Sequence, residues 1–413
     1  MIIHHLKVEN FRGIRSLDWH LNGRVVCLIG PNDSTKTSIL DAIELALLPR
    51  SNVSVTDADF YQGDAANTIV IEATVGELPS ELIVEPEKFG LCLRGYDPAK
   101  GAVDDPVDGV MPVLVVRFAV GQDLEPSWTV SKVGLPEPRR IGWQDRERLG
   151  ATRLGDDVEK HLTWARGSAL SKLTAKNVST AQTFAKVSRE AKRIVAESPL
   201  VELKAAAATA KTSAVQFGAV FGELKPGLDM TGFYFGASVL GLHDSAVPVR
   251  LWGLGTKRLA ALAIQQNGLG QNSILLVDEL EHGLEPHRIR LLVERLKSGV
   301  AATRTEGQVI FTTHSPTTIM ALSVDELRFV RSRDGVTSVA QVQSKHIDAL
   351  QGVARTHSHA FLGRKIVVCE GATEVGLYPQ RGRGGVDNHA ATSRRPAWPG
   401  HRLRQAAATI SVP

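Results

Sequence analysis

Leu28-Ile29-Gly30-Pro31-Asn32-Asp33-Ser34-Thr35-Lys36-Thr37-Ser38-Ile39 decides how the rest of this chain is read. An apolar run feeds a glycine, a short polar loop and then Lys-Thr, the pattern G-x-x-x-x-G-K-[ST] with Thr35 in place of the second glycine. Each fixed position answers a need of phosphate binding. Backbone N–H groups from Gly30 to Ser38 wrap the anion, Lys36 neutralises its β/γ charge, and Thr37 offers a hydroxyl to Mg²⁺. Thr35 is the departure, because a β-branched residue is penalised where φ is positive. Either the loop does not need that geometry, or phosphate binding is weakened while Lys36 and Thr37 keep it alive.

Residues 2–9 and 24–29 read as strands, and the second runs straight into the loop. Apolar residues at 39, 40, 43 and 47 then mark an amphipathic helix. Further strands are expected at 68–75 and 112–119. From about 156 the character changes to Ala- and Lys-rich helical sequence, which Ser198-Pro199 divides into two helices. That stretch is either a solvated helical hairpin or an arm for a partner or a second copy. Strands return at 247–252, 274–277, 308–312, 326–330 and 365–369, with helices at 257–266 and 286–297, so this half is α/β.

Two more stretches carry chemistry. Ser273 to Glu279 reads SILLVDE, a buried strand ending in two carboxylates. Asp278 is placed to support Mg²⁺, and Glu279 to orient or deprotonate an attacking water. Glu281-His282-Gly283-Leu284-Glu285-Pro286-His287 follows, and Phe311-Thr312-Thr313-His314-Ser315-Pro316 puts His314 at the end of another apolar strand, within reach of a γ-phosphate or its water. Upstream, Trp252-Gly253-Leu254-Gly255-Thr256-Lys257-Arg258 opens a helix with glycines, an anion site built from N–H groups.

Composition sets limits. With 413 residues, 43% of them hydrophobic, the chain can build two or three cored domains. Its net charge of +4 is uneven: six arginines against one aspartate in 378–413 leave the remainder at −1, so the basic balance says little about nucleic-acid binding by the body. Cys27, Cys92 and Cys369 are scattered without metal-like spacing and read as buried, reduced thiols. No apolar run approaches the roughly 18 residues of a membrane span, and no signal peptide opens the chain, so the expectation is a cytoplasmic protein without membrane contact.

The order of Asn10-Phe11-Arg12-Gly13, phosphate loop, glycine-rich segment, DE strand, following loop and TTHSP resembles the ABC-type ATPase heads of the SMC, RecF and OLD proteins. Within these it is most similar to the OLD, or AAA15, group of bacterial ATP-dependent endonucleases, over roughly residues 1–377. The resemblance implies an α/β fold: an ABC-type P-loop head with a mixed sheet and a helical insert. It implies ATP and Mg²⁺ as ligands, and two heads sandwiching ATP in a homodimer or higher homo-oligomer. Residues Gly253, Gly255 and Lys257 would then act in trans, Thr37 and Asp278 hold Mg²⁺, Glu279 serve as base and His314 as switch histidine. Arg12 would lie near the nucleotide and Gln62 near the metal. DNA, a partner effector protein and a role in anti-phage defence belong to the same expectation.

Lys365 to Glu374, KIVVCEGATE, looks like the opening strand and helix of a Toprim nuclease domain, with Glu370 as a metal ligand. A Toprim centre needs an Asp-x-Asp pair downstream as well. None follows, since the sequence beyond Leu377 is rich in Arg, Gly, Pro and Ala with Asp387 its single acid. We therefore expect a nuclease domain cut short and a disordered basic tail of frameshifted or unrelated sequence. The expected boundaries are 1–155 for the N-terminal lobe, 156–235 for the insert, 236–345 for the C-terminal lobe, 346–377 for the Toprim-like start and 378–413 for the tail. Two alternatives stay open: an ATP-dependent dimerisation switch, or a RecF- or SMC-like DNA-binding module without nuclease activity. The helical stretch from about 156 to 224, about 70 residues long, is too short for an SMC coiled-coil arm.

Overall fold

The computed structural model describes residues 1–49, 53–83, 89–98, 101–103, 110–132, 137–149, 151–155, 157–165, 168–173, 181–216, 226, 240–268, 273–302, 307–342, 346–363, 365–369 and 388–392. Strands β1 (Ile2–Phe11) and β2 (Ile14–His20) form an antiparallel hairpin in which Leu6, Val8, Leu17 and Trp19 are buried, the period-two pattern of strands with one wet face. β3 (Val25–Ile29) is apolar throughout and leads to helix α1 (Lys36–Leu47), whose Ile39, Leu40, Ile43 and Leu47 make the buried stripe. Next come β4 (Ile69–Gly76), α2 (Ser80–Ile83), β5 (Arg94–Asp97), β6 (Gly101–Val103), β7 (Met111–Val120), β8 (Ser127–Val130), β9 (Arg139–Arg140), α3 (Trp143–Arg148) and β10 (Ala151–Leu154). Helices α4 (Val158–His161), α5 (Ala169–Leu173), α6 (Ala181–Glu197) and α7 (Val201–Gln216) follow, then the short strands β11 (His243–Asp244) and β12 (Val247–Pro248). The remainder is α8 (Leu254–Gly268), β13 (Ile274–Val277), α9 (Pro286–Ala302), β14 (Gln308–Thr312), α10 (Pro316–Ala321), β15 (Leu327–Arg333), β16 (Val336–Gln341), α11 (Ile347–Thr356), β17 (Lys365–Cys369) and β18 (Asn388–Thr392).

Fourteen of these strands make one mixed sheet in the order β10-β13-β14-β3-β15-β16-β2-β1-β4-β7-β5-β6, with β8 and β9 added beyond β7. Strands β10, β13, β14, β3 and β15 are mutually parallel, while β2-β1-β4-β7 are antiparallel. The parallel half positions the chemistry. Parallel strands bring all their C-terminal ends to one edge of a sheet, where ligands of open α/β folds bind. That edge here carries the residues after Ile29, Val277 and Thr312. Registers Val277↔Phe311 and Thr312↔Leu28 fix their relative height. Phe311, 1% exposed, anchors the middle strand with the ~1.5–3 kcal/mol expected of a buried aromatic. Gln308 ties the other end of β14 to the N-terminus, its amide accepting from Ile3 N–H at 3.0 Å and donating to Gly23 O at 3.0 Å.

The chain divides into two compact units: Met1–Asp156, Leu254–Leu262 and Leu269–Pro413 in the first, Asp157–Gly253 and Ala263–Gly268 in the second. Residues 236–253, expected with the C-terminal lobe, thus fall in the second unit with α6 and α7. The break expected at Ser198-Pro199 separates those two helices. The strand expected over 247–252 stops after Pro248, and Val249–Leu251 forms a helical turn. Proline supplies no N–H to extend the ladder.

Against the expectation of a tail without strands, Asn388–Thr392 pairs in parallel with Lys365–Cys369 in a two-stranded sheet. An apolar strand with an open edge recruits a partner through its unpaired backbone groups, and the compositional reading did not weigh this. Glu370 and the helix expected after it lie outside the described residues, as does the rest of the tail. Among the described residues, no helix is long and apolar enough to cross a membrane.

Candidate functional site

The loop after β3 closes tightly on β15. A Cβ at Gly30 would lie 2.5 Å from the Val330 carbonyl oxygen, so only glycine fits there. Lys36 is buried, and its Nζ donates to Gly30 O at 3.1 Å, Pro31 O at 2.8 Å and Ser34 Oγ at 3.2 Å. Burial pulls its pKa down to about 8, while the carboxylate of Asp278 pulls the other way and Arg331 adds to the lowering. Arg331, on β15, is a second cation beside the loop that the sequence pattern does not reveal. Asn32, Asp33 and Thr37 face solvent, and Ser38 is half-buried in the first turn of α1.

Thr35 settles one of the two alternatives left by its side chain. Its φ of 66° and ψ of 14° are the left-handed conformation that glycine normally supplies, so the loop does need that geometry. The threonine is held there by its surroundings. Oγ1 donates to Ser34 O at 2.6 Å and lies 3.0 Å from Thr337 Oγ1 on β16. Its methyl, Cγ2, would be 3.1 Å from a Cβ at Gly13, so the glycine ending Asn10-Phe11-Arg12-Gly13 makes room for it.

Asp278 follows β13 and meets Thr37, whose Oγ1 is 3.4 Å from Asp278 Oδ1. Thr312 Oγ1 donates to the same oxygen at 2.6 Å, and Arg153 Nη2 donates to Oδ2 at 3.2 Å. Arg153, on β10, also pairs with Asp41 and Glu44 of α1. Burial alone would weaken its charge, but Asp41 and Glu44 outweigh burial and raise its pKa. Arg12 belongs to this chain of charges, paired with Asp41 and, through Nε, with Asp59 Oδ1 at 3.0 Å. The donor set of Thr37 and Asp278 is all oxygen, which fits Mg²⁺ rather than a softer ion.

Glu279 has φ of 45°, and its N–H donates to Thr312 Oγ1 at 2.8 Å. Its carboxylate is 57% exposed, open to a water or an incoming group. Arg258, 2% exposed on α8, donates from Nη2 to the main-chain carbonyls of Asp278 at 2.8 Å and Glu279 at 3.0 Å. One turn earlier on α8, a Cβ at Gly255 would stand 2.2 Å from Gly283 O, so the glycine-rich helix start and the loop after Glu279 touch backbone to backbone. Lys257 is half-buried, and at Gly253 an added Cβ would meet no heavy atom within 4 Å. Glu281 clamps the strand end opposite: it accepts from Thr313 Oγ1 and from His314 N–H, both at 2.6 Å. The His314 imidazole, open to solvent on one side, has its pKa lowered by partial desolvation and by Lys36, which favours the neutral ring.

The parallel edge thus assembles Lys36, Thr37, Asp278, Glu279 and His314. Asn10 donates to Thr68 O at 3.2 Å and Gln62 to Tyr61 Oη at 3.4 Å, both on the flank. Sequence reasoning missed Arg153, Arg331, Thr337 and the roles of Arg258 and Glu281. Only the last two lay inside quoted motifs.

Residues 1–89 match the AAA ATPase domain family, and residues 161–321 match the AAA domain described for AbiEii toxins of type IV TA systems. The OLD nuclease of Thermus scotoductus is 25% identical over 378 residues, 85% of this chain and 66% of that protein. The chain is thus similar to OLD-type proteins and matches AAA ATPase domains in two stretches. The DNA replication and repair protein RecF of Porphyromonas gingivalis is 40% identical over 57 residues, 14% of this chain and 16% of RecF. An SMC head solved bound to the C-winged helix domain of ScpA is 16% identical with a TM-score of 0.48, covering 85% of this chain and 100% of that one. The chain spans about two thirds of the length of the nuclease it matches and a smaller share of RecF.

Proposed function

We propose that this OLD-type head binds Mg²⁺-ATP in the loop 30–38, hydrolyses it with Glu279 as base and His314 beside it, and does so between two copies of itself. The observation that carries the reading is the meeting of Lys36, Thr37 and Asp278 at one edge of the parallel sheet. When bound, Mg²⁺ would supply neutralisation of the phosphate charge. Thr37 and Asp278 offer it oxygen ligands, while Thr312 and Arg153 hold Asp278 in place. Lys36 exchanges its carbonyl acceptors for phosphate oxygens. Glu279 has an exposed carboxylate on a backbone fixed by Arg258 and Thr312, which suits a base that must meet a water without moving.

The two-copy arrangement is supported by the similarity to OLD-type proteins, and among the described residues no heavy atom would meet a Cβ at Gly253, which leaves that helix start open to a second copy. In the partner-facing reading, Gly253, Gly255 and Lys257 would cap the nucleotide of the other head. The OLD nuclease and RecF relatives support DNA as the object of the ATP cycle, and anti-phage defence as its setting.

Steady-state phosphate release tests the enzyme. Glu279→Gln should lower turnover by about a hundredfold or more while keeping ATP bound, and it should shift the protein to a dimer in sedimentation with ATP. Wild type releasing phosphate no faster than Glu279→Gln, with or without DNA, would sink hydrolysis and leave an ATP-dependent dimerisation switch. For defence, cells expressing the intact system should lose protection against phage on Lys36→Ala, and unchanged plaque counts would remove that role.

A further inference from the structure

On the hairpin β1–β2, two histidines and an aspartate converge. His5 and His20 are directly opposite in the antiparallel register, and Asp18 shares the face of His20 because strand side chains alternate. The ligand atoms of all three lie within 4.8 Å of one another. Asp18 Oδ1 is 2.6 Å from His5 Nε2 and 3.9 Å from His20 Nε2. The two imidazoles stack with centroids 4.0 Å apart and planes 11° from parallel.

A hydrogen-bonded His–Asp pair explains His5 alone. It does not explain a second imidazole stacked face to face with its own Nε2 toward the same oxygen. The surroundings orient His20 as well. Tyr96 Oη donates to His4 O at 3.2 Å and lies 3.4 Å from His20 Nδ1. With its proton spent on the carbonyl, the phenol accepts from Nδ1–H and leaves the Nε2 lone pair facing Asp18. This is the outer hydrogen bond that metal-ligating histidines use. Lys7 Nζ, 3.8 Å away, neighbours the other carboxylate oxygen, Oδ2. Gly101 of β6, at φ of +80°, lies over the ring edges, where a Cβ would be 3.4 Å from His5 Nδ1.

We propose that His5 Nε2, His20 Nε2 and Asp18 Oδ1 form a binding site for a divalent first-row transition-metal ion, with Zn²⁺ the best fit and water completing its shell. Bond lengths of about 2.0–2.2 Å at tetrahedral angles place donors about 3.3–3.6 Å apart. The observed 2.6 and 3.9 Å bracket that spacing, and side-chain rotations that splay the stacked rings until both Nε2 lone pairs meet at one point close the site. Two imidazoles with one carboxylate select Zn²⁺, Co²⁺ or Ni²⁺ over Mg²⁺. Asp18 and His20 side chains are 62% and 38% exposed, which gives the ion a path from solvent. The proton on His5 Nε2 passes to Nδ1 when the ion takes its place. Bound there, the ion staples β1 to β2 on the antiparallel half of the sheet.

Co²⁺ titration of the full chain without nucleotide is the test, read by visible d–d absorption, with Zn²⁺ as competitor. We expect one Co²⁺ per chain, displaced by one equivalent of Zn²⁺. Affinity should fall at least about tenfold in His20→Ala and in Asp18→Asn, both open positions that leave folding intact. Asp278→Asn should bind Co²⁺ as wild type does, which separates this site from the phosphate loop. Absence of the band in wild type, equal affinity in His20→Ala, or loss confined to Asp278→Asn would each overturn the proposal.

Discussion

Arg258 on α8 donates from one nitrogen to the main-chain carbonyls of both Asp278 and Glu279, at 2.8 and 3.0 Å. Glu279 sits at φ of 45°, a conformation costing a non-glycine residue about 1–3 kcal/mol unless its surroundings enforce it. Arg258 and Thr312 supply that enforcement. Arg258→Met keeps much of the volume but removes both bonds. We expect a stability loss of about 1–3 kcal/mol, because two partly buried carbonyls lose their donor. Single-turnover hydrolysis should slow by roughly one to two orders of magnitude with ATP affinity little changed, the mark of misplaced catalytic groups. Weakened ATP binding at an unchanged hydrolytic rate would show that Arg258 does not position Glu279.

Thr35 is strained by its left-handed backbone and relieved by its hydroxyl bonds to Ser34 and Thr337. Glycine at 35 removes the strain along with the bonds, and the two effects, each about 1 kcal/mol, nearly cancel. Alanine keeps the strain and loses the bonds. Chemical denaturation should therefore rank Thr35→Gly near wild type and Thr35→Ala about 1 kcal/mol below both. Thr35→Ala matching Thr35→Gly would mean that Thr337 does not support the loop.

The parallel half of the sheet was legible because its strands, residues 25–29, 274–277 and 308–312, are short apolar runs ending in chemical groups. The positions of Lys36, Asp278, Glu279 and His314 followed from that. Arg153 was not legible. It lies on β10 in Ala-Thr-Arg-Leu, with no periodicity to single it out, and it reaches Asp278 only because β10 pairs with β13 across about 120 residues of chain. Thr337 and Arg331 were hidden for the same reason: β15 and β16 come beside the loop through tertiary pairing. The strand β2 was missed because Ile14-Arg15-Ser16-Leu17-Asp18-Trp19-His20 mixes charges among its apolar positions, as one-sided strands do.

Arg153 joins three carboxylates, Asp41, Glu44 and Asp278, while its own side chain is 11% exposed. Removing one partner of a buried ionic group leaves uncompensated charge, at a cost of about 3–5 kcal/mol. Arg153→Met should therefore lower stability by that amount in urea unfolding. The double variant with Asp41→Asn should recover part of it, because one of the stranded charges is gone. A loss below about 1 kcal/mol, the level of a solvent-screened surface pair, would show that water already satisfies these carboxylates.

The buried amine of Lys36 titrates at about 8, well below an ordinary lysine, because burial disfavours its charge. Phosphate binding needs the charged form, and a bound polyanion favours it further. The sign follows: below pH 8 the amine is already protonated and ATP affinity is flat. Above pH 8 a proton must be taken up with the nucleotide, so apparent affinity falls about tenfold per pH unit, toward the ordinary lysine value near 10.4. Calorimetry at pH 9 in buffers of different ionisation enthalpy should register close to one proton absorbed per ATP, and almost none at pH 6.5. The same depression means that the nucleotide-free fold gains stability as pH rises from about 8, since the unfolded lysine holds its proton longer than the folded one. Proton uptake at pH 9 that persists in Lys36→Met would assign the linkage to another group.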